Sequence, residues 1–299
     1  MRVASIDIGS NTVLLLIAEV SNSEIIPIRN EYRIPRISSG LADNGFITKE
    51  SINKLFRILN EYKAIIAEHN CKKTIVNGTQ ALRVAENSEQ IKREIKQQFN
   101  FELNIISGET EALYSFKGAL STFADSSNYV MIDIGGASTE LVYGNINEVF
   151  FRKSFPIGTV TSKEIFLKSN PPTTDEIKNF DGELENIFAE LSQIDFSDSS
   201  VIAVAGTPTT LSSLKQGITK YSETKIEKAI LSINDLNHFI SELKKLTHSE
   251  IGTQFSPIIA GREDVILAGT LILKHLLSLL KKDKLHVSSR GLRYGAILR

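Results

Sequence analysis

The chain has 299 residues, a length sufficient for two domains with a hydrophobic core each. Of these residues 41% are hydrophobic and 23% charged, which is typical of a soluble globular protein. The net charge of −1 argues against a generally basic surface for duplex nucleic acid. The single cysteine, Cys71, excludes an internal disulfide. The sequence shows neither a signal peptide nor an apolar stretch long enough for a membrane span. We therefore expect a cytoplasmic protein that binds neither duplex nucleic acid nor a membrane.

The first half of the chain predicts three consecutive strands and then alternating helices and strands. Thr48 precedes apolar residues at helical spacing, and Asn87 lies three residues before Gln90, so both are expected to cap helices. The elements expected here are strands at 2–8, 13–20 and 24–38, a helix after Thr48, a strand at 73–77, a helix to about Gln98, a strand at 103–106 and a helix at 109–122.

The second half predicts the same order of elements. The segment ADSSN at 124–128 has linker composition and places a boundary between domains 1–124 and 125–299. Residues 215–228 contain few apolar side chains and are expected to form an exposed loop. The elements expected here are strands at 129–134, 139–144 and 147–154, helices near 158–168 and 174–194, a strand at 201–205, a helix from Gly206, a helix at 233–246 with Ser232 or Asn234 as cap, a helix from Asp264, a strand at 285–288 and a terminal helix.

A strand–turn–strand unit occurs twice in the chain. The tetrapeptide IDIG at residues 6–9 recurs at 132–135, each time after an apolar strand and before a small, hydroxyl-bearing turn. Repetition of a whole unit indicates a duplicated domain. We expect an α/β protein with two ribonuclease-H-like domains and a cleft between them, because ligands of such sheets lie at the strand ends.

The two turns have the composition of phosphate-binding loops. Glycine lets backbone N–H groups converge on an anion, hydroxyls add donors, and a carboxylate at the strand end suits a hydrated Mg²⁺. An ordinary tight hairpin is the alternative for either turn alone. The candidate phosphate-binding residues in the turns are Gly9, Ser10, Asn11, Thr12, Gly135, Gly136, Ala137, Ser138 and Thr139, and the candidate metal carboxylates are Asp7, Asp133 and Glu140.

Other candidate residues stand near predicted strand ends. Arg83 follows a strand-end loop, where a guanidinium can fork onto phosphate oxygens, although a solvated helix arginine has the same pattern. Glu111 begins a helix after Ser107-Gly108, and from spacing alone it is equally well a first-turn glutamate favoured by the helix dipole. Further candidates for binding phosphate are Gly206, Thr207, Arg262 and Arg290. The five histidines show no metal spacing.

Seven segments together resemble one family along essentially the whole chain. They are DIGSNT at 7–12, GTQALRVAEN at 78–87, SGETEA at 107–112, DIGGASTEL at 133–141, FPIGTV at 155–160, REDVILAG at 262–269 and SSRGLRYG at 288–295. They are similar to the exopolyphosphatase / guanosine pentaphosphate phosphohydrolase family of the actin-like ATPase and sugar-kinase superfold. The resemblance implies Mg²⁺-dependent release of terminal orthophosphate from polyphosphate or guanosine pentaphosphate, with Glu111 at the position of the family's catalytic glutamate.

The chain departs from the family pattern at three positions near the expected site. Ala137 replaces a third glycine, Thr110 replaces the first of two glutamates, and Leu113 stands where an arginine often follows. These departures leave the choice between polyphosphate and guanosine pentaphosphate open. The longer relatives have extra C-terminal domains, so this chain is expected to offer long polyphosphate a shorter binding track.

Two other functions fit the sequence less well. An ATP-dependent kinase of the same superfold would need a sugar-binding segment, and none is recognisable. A non-catalytic nucleotide- or alarmone-sensing protein would not need the intact acidic set. The sequence does not determine the oligomeric state and is compatible with a homodimer.

Overall fold

A computed structural model describes residues 1–21, 24–123, 127–255 and 257–298. The chain divides into two compact units, one formed by Met1–Ser121 with Leu292–Arg299 and the other by Thr122–Gly291. Within the part of the chain that is described, every helix is too short or too polar to cross a membrane.

The first unit is a five-stranded mixed sheet with helices. Its elements are β1 Arg2–Ile8, β2 Val13–Ser21, β3 Glu24–Arg33, α1 Leu41–Asn44, α2 Lys49–Glu68, β4 Lys73–Gly78, α3 Gln80–Val84, α4 Ser88–Phe99, β5 Leu103–Ile105, α5 Gly108–Leu120 and, from the other end of the chain, α13 Leu292–Ile297. The strand order is β3-β2-β1-β4-β5. The first three strands pair antiparallel, and β4 and β5 join them in parallel.

The second unit repeats this arrangement and adds an edge strand. Its elements are β6 Asn128–Ile134, β7 Thr139–Gly144, β8 Val149–Phe155, α6 Thr159–Ile165, α7 Thr174–Phe188 with a 3-10 extension at Ala189–Gln193, β9 Ser199–Val204, α8 Gly206–Lys215, α9 Glu223–Ile226, β10 Ile230–Ser232, α10 Ile233–Leu243, α11 His248–Gln254, a 3-10 turn at Pro257–Ile259, α12 Ile266–Leu279 and β11 Lys284–Val287. The sheet order is β10-β11-β9-β6-β7-β8.

The two sheets share one topology. In each, an antiparallel three-strand meander is followed by two parallel strands on the side of its first strand. Period-2 alternation lets each central strand bury alternate side chains in its own core, as Ile6 and Ile8 do in one unit and Ile132 and Ile134 in the other. The polar turns after β1, β4, β6, β9 and β11 therefore lie at the carboxyl ends of adjacent parallel strands, where α/β sheets bind ligands.

The C-terminal helix belongs to the first unit, whereas the sequence assigned it to a second domain of residues 125–299. Helix α13 packs on α5 and on the sheet, where Tyr294 and Ala296 are fully buried. A Cβ at Gly295 would come within 1.7 Å of the Tyr114 carbonyl oxygen, so only glycine permits this approach. The predicted boundary after residue 124 falls within 124–126, outside the described residues, and stays a prediction.

Two other expectations differ from the structure. The third strand ends at Arg33 rather than at residue 38, because Arg36 and Ser38 donate their N–H groups to the 9–12 turn instead of a strand neighbour. The expected loop at 215–228 contains the short helix α9, in which Ile226 is fully buried.

Candidate active site

The turn after β1 is a tight loop closed by its own backbone. The N–H of Gly9 donates to the carbonyl oxygen of Thr12 at 2.9 Å, and a Cβ at Gly9 would lie 3.2 Å from that oxygen. Ser10 and Asn11 within the turn are buried. The turn thus places small polar groups and Asp7, at the end of β1, at one edge of the sheet.

The turn after β6 has the same geometry. The N–H of Gly135 donates to the carbonyl oxygen of Ser138 at 2.9 Å, and a Cβ at Gly135 would lie 3.1 Å from it. The repeated tetrapeptide therefore folds into the same turn twice, each time directly after a strand-end aspartate. An ordinary hairpin accounts for one such turn; its repetition at the ligand-binding edge of both sheets favours a functional role.

Gly158 packs against the second turn. A Cβ at Gly158 would lie 2.6 Å from the carbonyl of Gly136 and from the N–H nitrogen of Ser138. Gly158 leads into α6, and the N–H groups of Thr159 and Val160 donate to the carbonyls of Gly135 and Gly136 at 2.9 and 2.7 Å. Glycine at 158 is thus what allows α6 to support the turn.

Arg83 and Glu111, predicted separately, form an ion pair. Nη1 of Arg83 donates to Oε2 of Glu111 at 2.6 Å, and the two side chains are 17% and 13% exposed. The guanidinium also donates to the Ile106 carbonyl at 2.8 Å and, through Nε and Nη2, to Gln80 Oε1 at 3.2 and 2.8 Å. Charge-assisted bonds of this kind are short and directional. The carboxylate of Glu111 is therefore held in one orientation.

Backbone bonds connect this pair to the first turn. Thr79, which precedes α3, donates its N–H to the Ile8 carbonyl at 3.1 Å and accepts from the N–H of Arg83 at 3.0 Å. Ile106, which leads to α5, donates to the Gly78 carbonyl at 3.0 Å. Ser107 caps α5 by accepting from the N–H of Thr110 at 3.2 Å. Thr110, one of the three departures from the family pattern, is therefore part of this helix cap.

Asp133 and Glu140 are neighbours across two strands. They are register partners in the β6–β7 pair, and Glu140 is in turn opposite Ser154 in β8. Directly paired residues of an antiparallel ladder lie on one face. Glu140 is 1% exposed and accepts from Ser154 Oγ at 2.7 Å. The structure thus brings two of the predicted metal carboxylates together, while Asp7 belongs to the first unit.

Gly206 and Arg262 also lie together. A Cβ at Gly206 would be 1.6 Å from Nη1 of Arg262, so the guanidinium covers the α-carbon at the start of α8. The adjacent Thr207 is buried against Gly269 of α12, where a Cβ would lie 2.2 Å from the threonine Oγ1. Three predicted phosphate-binding residues therefore meet at the carboxyl end of β9.

Arg290 lies in a segment held by two glutamates of the α9 region. Its Nε donates to Glu223 Oε1 at 3.3 Å. Glu227 accepts from Ser288 Oγ at 2.9 Å and from the N–H and Oγ of Ser289 at 2.8 and 2.7 Å. No sequence pattern points to these two glutamates, because they lie within the apolar-poor stretch at 215–228 and meet the segment only in the tertiary fold.

The residues present fit a hydrated metal ion rather than a fully protein-ligated one. Among the described residues, no three His, Cys, Asp or Glu side chains cluster closely enough to hold a metal by themselves. Asp133 and Glu140 supply two adjacent carboxylates, and Mg²⁺ is usually held by one or two carboxylates plus water and substrate phosphates. In the first unit, the buried Oδ1 of Asn11 accepts no hydrogen bond from any described residue, so it can accept one from a ligand or a water molecule.

Comparison with known families decides the assignment that the motifs suggested. The sequence model of the Ppx/GppA phosphatase family matches residues 16–299. The chain belongs to this family. It is accordingly a hydrolase, as predicted, and Ppx/GppA phosphatases are in general metal-dependent.

Several curated proteins are similar to this chain along nearly its whole length. The chain is 33% identical to a bifunctional 3-dehydroquinate synthase/phosphatase of Fusobacterium nucleatum, covering 99% of this chain but only 46% of that protein. It is 29% identical to exopolyphosphatase 2 of Mycobacterium tuberculosis, covering 99% of this chain and 98% of the relative. It is 25% identical to a guanosine-5'-triphosphate,3'-diphosphate pyrophosphatase of Aliivibrio fischeri, covering 98% of this chain and 58% of that protein.

Solved structures of the family share the fold. The Aquifex aeolicus Ppx/GppA family member is 31% identical, with a TM-score of 0.85, and covers 100% of this chain and 96% of its own. An exopolyphosphatase from Cytophaga hutchinsonii is 26% identical, with a TM-score of 0.92, and covers 100% and 97%. Together with the two sheets, these matches confirm the predicted fold class, an α/β protein with two ribonuclease-H-like domains of the actin-like ATPase superfold.

Proposed function

We propose that this chain releases terminal orthophosphate from inorganic polyphosphate, from guanosine pentaphosphate, or from both. The observation that carries the proposal is the Arg83–Glu111 pair, because it holds a carboxylate in a fixed orientation at the edge where the first turn lies. Relatives named for each of the two substrates support both alternatives. A kinase or a sensor is not favoured.

Glu111 acts as the general base in this proposal. One of its carboxylate oxygens accepts a proton from a water molecule, and the water oxygen attacks the terminal phosphorus. The bond from that phosphorus to the bridging oxygen breaks, and the leaving oxygen remains on the shortened phosphate chain. Arg83 keeps the carboxylate oriented through its bond at 2.6 Å, and its remaining donor capacity is available to phosphate.

The two glycine turns bind the phosphate oxygens of the substrate. Backbone N–H groups and hydroxyls supply neutral donors, and the arginines supply charge-assisted ones. Gly206 with Thr207 and Arg262 forms a second group of donors in the second unit. The residues proposed to bind phosphate are Gly9, Ser10, Asn11, Thr12, Arg83, Gly135, Gly136, Ala137, Ser138, Thr139, Gly206, Thr207, Arg262 and Arg290.

We propose Mg²⁺ as the metal, held by Asp133 and Glu140, with Asp7 as the third candidate carboxylate. When bound, Mg²⁺ neutralises charge on the phosphate oxygens. Glu140 stays ionised only if its burial is offset by hydrogen bonds and a cation, and the Ser154 hydroxyl supplies one such bond. The cytoplasmic location, the absence of duplex nucleic acid among the partners and the homodimer stay predictions.

The proposal is tested by orthophosphate release in the presence of Mg²⁺ without ATP or any acceptor. We expect release from at least one of the two substrates, and parallel kcat/KM values decide which is preferred. Binding of both substrates without release, or release that requires ATP and a co-substrate, would contradict the proposal. Omitting Mg²⁺ and adding a chelator should abolish release if the metal assignment is correct.

A further inference from the structure

Asn77 in β4 is a fully buried polar side chain. Its residue is 0% exposed, yet neither Nδ2 nor Oδ1 has a hydrogen-bond partner among the residues that the structure describes. The Oγ of Ser5, also in a residue that is 0% exposed, likewise has no hydrogen-bond partner among the described residues. Buried donors and acceptors are nearly always satisfied in proteins, so an amide with neither bond requires an explanation.

The strand register puts Asn77 beside a candidate site residue. Asn77 is the parallel partner of Asp7 in β1, and Ser5 precedes Asp7 by two residues on the same face. That face is the one on which Ile75 packs with Ala296 of α13 and with Tyr114 of α5. Glu111 lies one helical turn before Tyr114. The amide therefore lies on the sheet face beneath the helix that carries the proposed base.

The chemistry of the amide indicates which kind of partner it takes. A cation would satisfy Oδ1 but repel the Nδ2 donor, and a phosphate would satisfy only Nδ2. A water molecule accepts from Nδ2 and donates to an oxygen, and ordered buried waters typically bridge two to four polar groups. Asn77, Ser5 and Asp7 supply such a set of groups on one face.

We infer that an ordered water bonds to Asn77 beside Asp7, and that Asn77 is a positioning residue for the Asp7 carboxylate. The inference rests on the proposed hydrolase function. Asn77 touches no substrate in this arrangement; through the water it restricts the orientation of a carboxylate at the end of β1. The buried amide of Asn77 then serves the reaction, since it makes no hydrogen bond to the described residues of the fold.

The test is Asn77→Leu, which keeps the approximate shape and removes both polar atoms. We expect kcat for orthophosphate release to fall about 10- to 100-fold, as is typical when a partner of a metal-site carboxylate is lost, with a much smaller change in KM. The melting temperature should stay constant or rise, because an apolar group of the same shape replaces an unsatisfied amide. Asn77→Ser, which restores a donor and acceptor, should recover part of kcat.

Asn104→Leu is the matched control. Asn104 is the partner of Asn77 in β5, but it is exposed and donates to the Val76 carbonyl at 3.4 Å, so its loss should leave kcat unchanged. Wild-type kcat in Asn77→Leu would overturn the inference, as would parallel loss of kcat and melting temperature without recovery in Asn77→Ser. A crystal structure without a water in contact with the amide would also overturn it. If wild type and Asn104→Leu both release no phosphate, the proposed function fails, while the melting temperatures and that water still test the inference.

Discussion

At the scale of single residues, the structure gives Arg83 contacts that the sequence does not suggest. The sequence predicts a phosphate clamp, because an arginine after a strand-end loop can reach an anion. The structure engages the guanidinium with Glu111, Gln80 and the Ile106 carbonyl. Arg83 and Glu111 are far apart in sequence, and no local pattern links them. Their pairing could be predicted only from the fold.

Arg83→Ala should therefore lower kcat and not only raise KM. A hydrogen bond to a charged group is worth about 1.5–3 kcal/mol, which corresponds to roughly 10- to 100-fold in rate if the orientation of Glu111 depends on it. Separate determination of kcat and KM for orthophosphate release checks this. Arg57→Ala, which removes an exposed arginine of α2 in the same unit, is the control. A raised KM with unchanged kcat would restore the simple clamp.

At the scale of elements, sequence patterns predicted the helix caps, turns and strands that depend on interactions between residues close in sequence. Thr48 and Ser232 cap their helices as expected, accepting from Ser51 and Asp235 at 3.2 Å. Asn87 is the N-cap of α4, as expected, but its amide makes no capping hydrogen bond and bonds to the backbone of Ile47 instead. The repeated IDIG unit predicted both glycine turns, and apolar runs predicted the succession of strands along the chain. Helix α9 was not predicted because its sequence is mostly polar, and β10 was not predicted because it has only three residues.

Gly158→Ala tests whether α6 supports the second turn. The new Cβ would lie 2.6 Å from backbone atoms of Gly136 and Ser138, which cannot move as freely as a side chain. We expect a loss of about 1–3 kcal/mol in the free energy of unfolding, the usual cost of overpacking, together with a raised KM. Urea unfolding and steady-state kinetics measure both.

Gly182→Ala is the matched control for that substitution. Gly182 lies inside α7 with nothing within 4 Å of a Cβ. Alanine there should stabilise the protein by about 0.5–1 kcal/mol, because glycine is a poor residue inside a helix. Equal effects of the two substitutions would show that the contact at Gly158 does not matter.

At the scale of the whole molecule, the first unit is built from both ends of the chain. Arg293 of the C-terminal helix is 9% exposed, and its Nη1 donates to the Leu15 carbonyl at 3.1 Å and to Asn30 Oδ1 at 2.7 Å. A C-terminal helix that returns to the first sheet has no signal in local sequence, since it depends on contacts across nearly the full chain length.

Arg293→Ala should destabilise the protein by about 1–3 kcal/mol, because it removes the donor of a buried hydrogen bond to the Leu15 carbonyl and of a bond to Asn30 Oδ1. The midpoint of urea unfolding measures the effect. Arg152→Ala, at an exposed position of β8, should change the midpoint little. Equal midpoints for wild type and Arg293→Ala would contradict the structural role of the C-terminal helix.

The measurement that most directly tests the proposed mechanism, with Glu111 as the general base, is kcat of Glu111→Gln for orthophosphate release. The glutamine keeps the shape of the side chain and removes the base, so we expect a loss of about 10²- to 10⁴-fold with substrate binding retained. Glu109→Gln, in the same helical turn, should be mild, since a carboxylate there contributes only about 0.3–1 kcal/mol. If Glu111→Gln kept more than about a tenth of the wild-type kcat, far more activity than loss of a general base would leave, Glu111 would not be the general base.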